Sequence, residues 1–253
     1  MDESAYGYWL PPDASAHGPQ IDHLLILLHA FMAVIFIGWL GFFVFCLIKF
    51  RARADRRASY EMPRAAFVKY AEFSIIVIEL LLLFGVSTPI WWRYKQTPAD
   101  EANALHIKVV AEQYAWNVHY PGHDNKFGKA SLDLMSSDNP LGLDADDEAG
   151  KDDLTTINQL HVPLGRTVIV DVTSKDVIHG FNIPVFRIKA DAIPGQQARL
   201  WFTGTKVGHY ELACAQLCGL GHYRMRGDVY VDTPEEFAKW EHDNAPAQPE
   251  PTK

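Results

Sequence analysis

The segment Cys214–Met225, CAQLCGLGHYRM, gathers two cysteines, a histidine and a methionine, with Gln216 between the cysteines. A pair of cysteines in an exported domain ordinarily reads as a disulfide, and a structural domain with a Cys214–Cys218 bridge is one alternative. His222 and Met225 favour a metal. A Cys2His2 zinc site would need a second histidine, which His179 can supply, but zinc has no use for a thioether. Cysteine with histidine and methionine points to copper. A mononuclear copper site needs one thiolate, and here there are two with three residues between them. Two thiolates can bridge two copper ions, each ion then taking one histidine and one weaker donor. Sharing an unpaired electron over both metals spreads the geometric change on reduction over many bonds, which lowers the reorganisation cost of electron transfer. Such a centre requires a histidine from a second loop, for which His179 in DVIHG is the candidate, and one more weak donor, for which the backbone carbonyl of Gln216 suffices. His106, His119, His123, His161 and His209 lack comparable partners and read as structural or surface residues.

The ligands need a rigid frame, and the sequence from Leu105 onward supplies one. Runs rich in Val, Ile, Tyr and Trp (LHIKVVAEQYAWNVHY, TTINQLHVPLG, RTVIVDVTS, DVIHGFNIP, FRIKADAIP, QARLWFTG, GHYELAC and GDVYVD) are punctuated by Gly, Pro and Asp. Seven or eight strands at this spacing predict an antiparallel sandwich or barrel over residues 105–232. Residues 124–153 interrupt it with nine acidic and three basic residues and read as a long surface loop, whose DADDEAGKDD matches a calcium loop only loosely. TPEEFAKWEHD opens with a cap and a proline at the first helical position, predicting a short helix within residues 233–253 ahead of a disordered tail.

Upstream lies a different chemistry. Residues 24–48 contain no Asp, Glu, Lys or Arg, and residues 73–92 only Glu79, so both runs predict membrane-spanning helices. They define a hairpin over residues 23–95, with a linker at 96–104 and an N-terminal tail at 1–22. The connector 49–69 holds seven of the chain's 23 basic residues, which places it in the cytoplasm and both termini on the exterior, periplasmic or equivalent, side. The acidic start MDESAYGYWLPPD lacks the apolar core of a cleavable signal peptide, so the first span reads as an uncleaved insertion signal. With the connector's basic residues and Asp55, Glu61, Glu72 and Glu79 set aside, 16 basic face 27 acidic residues. That field disfavours nucleic acid and suits a basic partner.

The two-span hairpin, EQYAWNVHY, DVIHGFNIP, FRIKADAIPG and the C-x3-C-x3-H-x2-M spacing together resemble subunit II of the haem–copper cytochrome c oxidases over nearly the whole chain. The resemblance implies a cupredoxin-type Greek-key barrel joined to a two-helix transmembrane hairpin. It implies a dinuclear copper centre, CuA, held by His179, Cys214, Cys218, His222 and Met225, with Gln216 binding through its carbonyl. It further implies that cytochrome c delivers electrons to this centre, which passes them to haem in subunit I, where oxygen is reduced; this chain would hold no haem. His222 and Asp191 would face subunit I.

Two positions depart from the family pattern and a third matches it at a distance. Most members carry an acidic residue between the cysteines that helps bind magnesium at the subunit I boundary. Gln216 offers a neutral amide, so that site is expected to be metal-free or weaker than usual. The family's tryptophan at which electrons enter corresponds to Tyr114, while the later aromatic, Trp116, is kept. Glu72, seventeen residues before Pro89, resembles the glutamate at the mouth of the family's K proton pathway, with an anchoring role as its rival. Glu79 lies deeper, where an unpaired carboxylate is expensive, and reads as neutralised or paired with a neighbouring subunit. A CuA-bearing nitric oxide reductase subunit and a membrane-tethered copper carrier remain alternatives. The complete ligand set argues against quinol oxidase subunits, and the lack of a large extra domain argues against nitrous oxide reductase.

Overall fold

A computed structural model describes residues 10–55, 57, 60, 66–96, 98 and 100–246. Arg56 and Arg64 of the connector, the first nine residues and the tail from 247 lie outside this set. The chain divides into two units, one of residues 20–93 and one formed by residues 1–19 with 94–253.

The first unit is helical. α1 spans Gly18–Lys49, and a second helical stretch spans Ala66–Lys95; at 32 and 30 residues both exceed what the hydrocarbon core requires. Large apolar side chains such as Val34, Phe36, Ile37, Leu81 and Phe84 are exposed along them, as expected of surfaces meant for lipid or other helices. The second stretch is not uniform. α2 (Ala66–Leu80) gives way to a π-helical segment, Leu81–Ser87, before α3 (Thr88–Lys95). Pro89 has no N–H to donate and its ring crowds the preceding turn. The turn before it widens, and the Thr88 N–H reaches back five residues to the Leu83 carbonyl.

The second unit contains ten strands in two five-stranded sheets. β1 (Leu105–Glu112), β2 (Ala115–Tyr120), β3 (Leu154–Ile157), β5 (Thr167–Ser174) and β8 (Ala198–Thr203) form one, in the order β3-β2-β1-β5-β8. β4 (Gln159–Pro163), β6 (His179–Ile183), β7 (Ile188–Ala192), β9 (Gly208–Cys214) and β10 (Arg226–Asp232) form the other, in the order β4-β10-β9-β6-β7. The expected sandwich is present, but two features differ from the expectation. Two of the eight predicted runs each make two strands, and the pairs β1/β5 and β4/β10 are parallel, so neither sheet is purely antiparallel. The break in TTINQLHVPLG falls at Asn158, whose positive φ of 57° ends β3 in one sheet and starts β4 in the other. Asn158 is one of the few residue types that adopt this conformation readily. Its side chain also accepts from the Trp116 N–H at 2.8 Å. Between the sheets, alternating side chains including Ile107, Val109, Trp116, Val118, Val170, Phe181, Ile183, Phe202, Leu212 and Val229 make one buried core.

Residues 10–17 are more than a tail. Ala14 is fully buried, its N–H donates to Val185 O (2.9 Å), and the Ala16 N–H donates to Thr203 O (3.0 Å). The segment thus adds to the edge of the sandwich beside β8. The acidic loop 124–153 is largely irregular, with short 3-10 turns at Leu132–Leu134 and Glu148–Gly150. It is anchored at its C-terminal end by Asp153, which lies 2.6 Å from His119 Nε2 with both groups buried and accepts the Gly122 and Gly128 N–H groups. Burial lowers the His119 pKa, against the opposing pull of Asp153. The C-terminal helix α4 (Pro234–Asn244) has a full capping box between Thr233 and Glu236. Its Trp240 stacks on His161, which stacks in turn on Tyr230 and pairs with Asp232 at 2.7 Å. These histidines are structural, as expected, but each has a carboxylate partner that spacing did not reveal.

Candidate metal centre

The predicted ligands converge at one end of the sandwich. His179 opens β6 and Cys214 closes β9, and these strands are neighbours, with Phe181 opposite Cys214. The chain then turns over β6 with the Ala215 N–H donating to Gly180 O at 2.9 Å. This close approach requires glycine at 180, because a Cβ there would meet Ala215 C at 2.8 Å and Gln216 N at 2.9 Å. The loop returns through a 3-10 turn, His222–Arg224, and Met225 O accepts the Cys214 N–H at 3.1 Å, closing the loop on itself.

Six donors result, from six residues. The sulfurs of Cys214 and Cys218 are 3.8 Å apart and both thiols are free, well beyond the bonded distance of about 2.05 Å. Cys214 Sγ lies 3.1 Å from the Gln216 carbonyl oxygen and 4.0 Å from His179 Nδ1. Cys218 Sγ lies 3.7 Å from His222 Nδ1 and 3.7 Å from Met225 Sδ, which itself is 3.2 Å from His179 Nδ1. His179 Nδ1 and the two sulfurs all fall within 4.8 Å of one another. Every pair of neighbours is therefore close enough to share an ion yet not bonded. Burial and the adjacent Cys214 push the Cys218 thiol up to about 11. A soft cation binding there must displace a proton.

Two residues that spacing did not single out position this set. Asp176 Oδ1 accepts from His179 Nε2 at 2.9 Å. That bond commits the proton to Nε2 and leaves the Nδ1 lone pair facing the sulfurs. Burial raises the Asp176 pKa, but hydrogen bonds from His179 and from the Gln113 and Val177 N–H groups outweigh it and hold the carboxyl below its ordinary value. Gln113 donates its N–H to Asp176 Oδ2 (2.6 Å) and its side-chain amide to Cys218 O (2.5 Å). It thus ties the β1–β2 turn to both ligand-bearing loops. The only available signal was the position of Asp176 three residues before His179.

The remaining candidates divide. Tyr114, half-buried, lies against the metal loop: a Cβ at Gly219, whose φ is +131°, would meet its hydroxyl at 2.6 Å. Trp116 is fully buried, with its ring edge-on to His179 at 6.1 Å. It is a core residue in contact with a ligand and presents no surface to a partner. Asp191 Oδ2 accepts from the Gln216 side-chain amide at 3.0 Å, and its Oδ1 lies 3.7 Å from Lys189 Nζ. Glu72 belongs to α2 in the other unit.

Residues 105–230 match the family described as cytochrome c oxidase subunit II, periplasmic domain. The chain is 30% identical to the alternative cytochrome c oxidase subunit 2 of Bradyrhizobium diazoefficiens, over 92% of its own length and 83% of that protein. The chain belongs to the cytochrome c oxidase subunit II family. The cytochrome c oxidase subunit 2 of Cereibacter sphaeroides is 32% identical over 66% of this chain and 58% of that protein. The one from Thermostichus vulcanus is 28% identical over 93% and 78%. As a subunit II the chain is part of an oxidoreductase complex in a membrane, with a periplasmic β-domain, and it partners with subunit I and other subunits.

Proposed function

We propose that this subunit accepts electrons from cytochrome c at a dinuclear copper centre, CuA, and delivers them to haem in subunit I. The observation that carries this reading is the pair of free thiols 3.8 Å apart, ringed by two imidazoles, a thioether and a carbonyl. The donor set fits two soft ions sharing two sulfurs, and it suits neither zinc, which rejects the thioether, nor a disulfide. When bound, the copper pair supplies a one-electron store with little geometric change between its oxidation states.

The chain's own residues do the rest. Cys214, Cys218, His179 and His222 would hold the copper, with Met225 and the Gln216 carbonyl as weaker donors. Asp176 and Gln113 hold these groups in place before any metal arrives. Leu217, Leu220 and Tyr223 stand out from the loop at 82%, 96% and 87% exposure, giving an apolar skin over the centre. Outside the connector the chain is acidic overall, with 16 basic against 27 acidic residues once Glu72 and Glu79 are set aside, which suits a basic cytochrome c. Tyr114, packed against the loop, is the aromatic through which electrons enter, and the buried Trp116 meets His179 edge-on. Asp191 and His222 face subunit I, and Glu72 marks the mouth of a proton path.

Gln216 sets this member apart from the family pattern. Its amide nitrogen donates to Asp191, so the side chain presents a donor where a cation needs an oxygen. The residues present do not fit a magnesium ion at this position. The hydrogen bonding of residues 14–16 into the β-sandwich supports the reading of two spans with both termini in the periplasm.

Copper analysis of the full-length chain, purified and loaded with copper, tests the reading. Two copper ions per chain and a purple colour are expected, and Cys218→Ser should lose both features. Two ions retained in Cys218→Ser, or one ion in the native chain, would contradict it.

A further inference from the structure

The outer face of the first sheet carries a row of four opposed side chains: His119 on β2, Lys108 on β1, Asp171 on β5 and Arg199 on β8. The acidic loop and the turn at residues 195–197 cover this row incompletely and leave a cleft of about 360 Å³, a volume within the range of small-molecule sites. Three members of the row have their charges or dipoles matched. Asp153 takes up His119 and the Gly122 and Gly128 N–H groups. Both oxygens of Asp171 accept from Arg199, at 2.7 and 2.9 Å. Lys108 is the exception. Among the described residues no carboxylate pairs with it, and its ammonium lies over the Phe127 ring, 4.1 Å from the centroid. An ammonium carries three N–H donors, and none of them meets an acceptor among those residues. Burial lowers the Lys108 pKa against the pull of Asp153 and Asp171, so an anion arriving there relieves a cost that the fold already carries. Much of the remaining lining is apolar: Val110 and Leu141 are buried and Met135 is half-buried.

We propose that this cleft binds a small amphipathic monocarboxylate, with its carboxylate on Lys108 and its short alkyl chain against Val110, Met135 and Leu141. An inorganic anion would leave the apolar lining unused, and an uncharged apolar molecule would leave the ammonium unpaired. A single carboxylate on a chain of a few carbons meets both demands. Lys108 and Val110 belong to β1, whereas Met135 and Leu141 belong to the acidic loop. The bound molecule therefore bridges sheet and loop and holds residues 135–141 against the sandwich. The site uses none of the copper ligands, and the inference rests on neither the copper reading nor family membership.

Calorimetric titration of the full chain in detergent with hexanoate tests this. A single molecule should bind per chain, with a millimolar Kd or tighter. Lys108→Met keeps the stem and removes the charge, and it should weaken binding by about tenfold or more, the worth of a hydrogen bond to a charged group. The same variant in the same detergent accounts for uptake of hexanoate into micelles. Hexanol and inorganic phosphate each lack one half of the ligand, and each should bind the native chain about tenfold more weakly than hexanoate, or less. Saturating hexanoate should also slow amide hydrogen exchange in residues 135–141 of the native chain. Absence of binding at millimolar hexanoate would overturn the proposal, as would native affinity in Lys108→Met. Hexanol or phosphate binding as tightly as hexanoate, or unchanged exchange in residues 135–141, would overturn it too.

Discussion

The metal corner and the acidic loop are both held by polar side chains at opposite margins of one sandwich, and they are built in different ways. At the corner, four of the five side-chain donors come from a twelve-residue loop that closes on its own backbone, Cys214 N–H to Met225 O. The acidic loop runs for thirty residues and is anchored by a buried histidine–carboxylate pair, His119 with Asp153, thirty-four positions apart. The first arrangement is local, with His179, Cys218 and Met225 buried and Cys214 and His222 half-buried. The second is long-range and sealed. The corner is built for chemistry, and the loop anchor for stability.

The sharpest way to separate the two is to break the anchor alone. Asp153→Ala strands His119 and the Gly122 and Gly128 N–H groups inside the protein. It should destabilise the β-domain by ~3–5 kcal/mol, the cost of breaking a buried pair. Urea unfolding of the full chain measures this, and the copper colour below the transition should be unaffected. Weakening the corner without removing a ligand should have the opposite pattern. Asp176→Asn removes the carboxylate acceptor that fixes the His179 tautomer. Copper affinity measured by chelator competition should fall about tenfold or more, with little change in the unfolding midpoint of the metal-free chain.

A smaller effect comes from pH. Burial lowers the pKa of His17, His119 and His161 from the ordinary 6.5. The unfolded chain therefore binds more protons at these sites than the fold does once the pH drops below about 6.5. Stability of the metal-free domain should be constant above that pH and decline below it, by at most ~1.4 kcal/mol per pH unit for each histidine. Thermal melts between pH 8 and pH 5 check the sign. A rise in stability on acidification would mean that the carboxylate partners, not burial, control these groups.

The same contrast explains what could be read before the structure. The clustering of donors at the corner was legible because soft side chains recur at short spacing between Cys214 and Met225, and the hairpin was legible because an uninterrupted apolar run cannot easily be anything other than a span. Strand positions were legible from alternation. The split at Asn158 was not, since one residue with positive φ leaves the hydrophobic pattern of TTINQLHVPLG intact while moving the chain between sheets. The parallel pairings followed from that crossover and were equally hidden. Asp176, Gln113 and Asp153 act through partners brought near by folding, so no spacing rule identifies them. The incorporation of residues 10–17 into the sandwich was invisible for a related reason: it depends on backbone hydrogen bonds, which any residue type with a free N–H can make.

The central claim is that two coppers share one unpaired electron between Cys214 and Cys218. Electron paramagnetic resonance of the oxidised, copper-loaded full chain tests it most directly. Delocalisation over two equivalent copper nuclei predicts a seven-line hyperfine pattern. A four-line pattern from a single copper, or a silent protein with its two cysteines joined in a disulfide, would contradict the account.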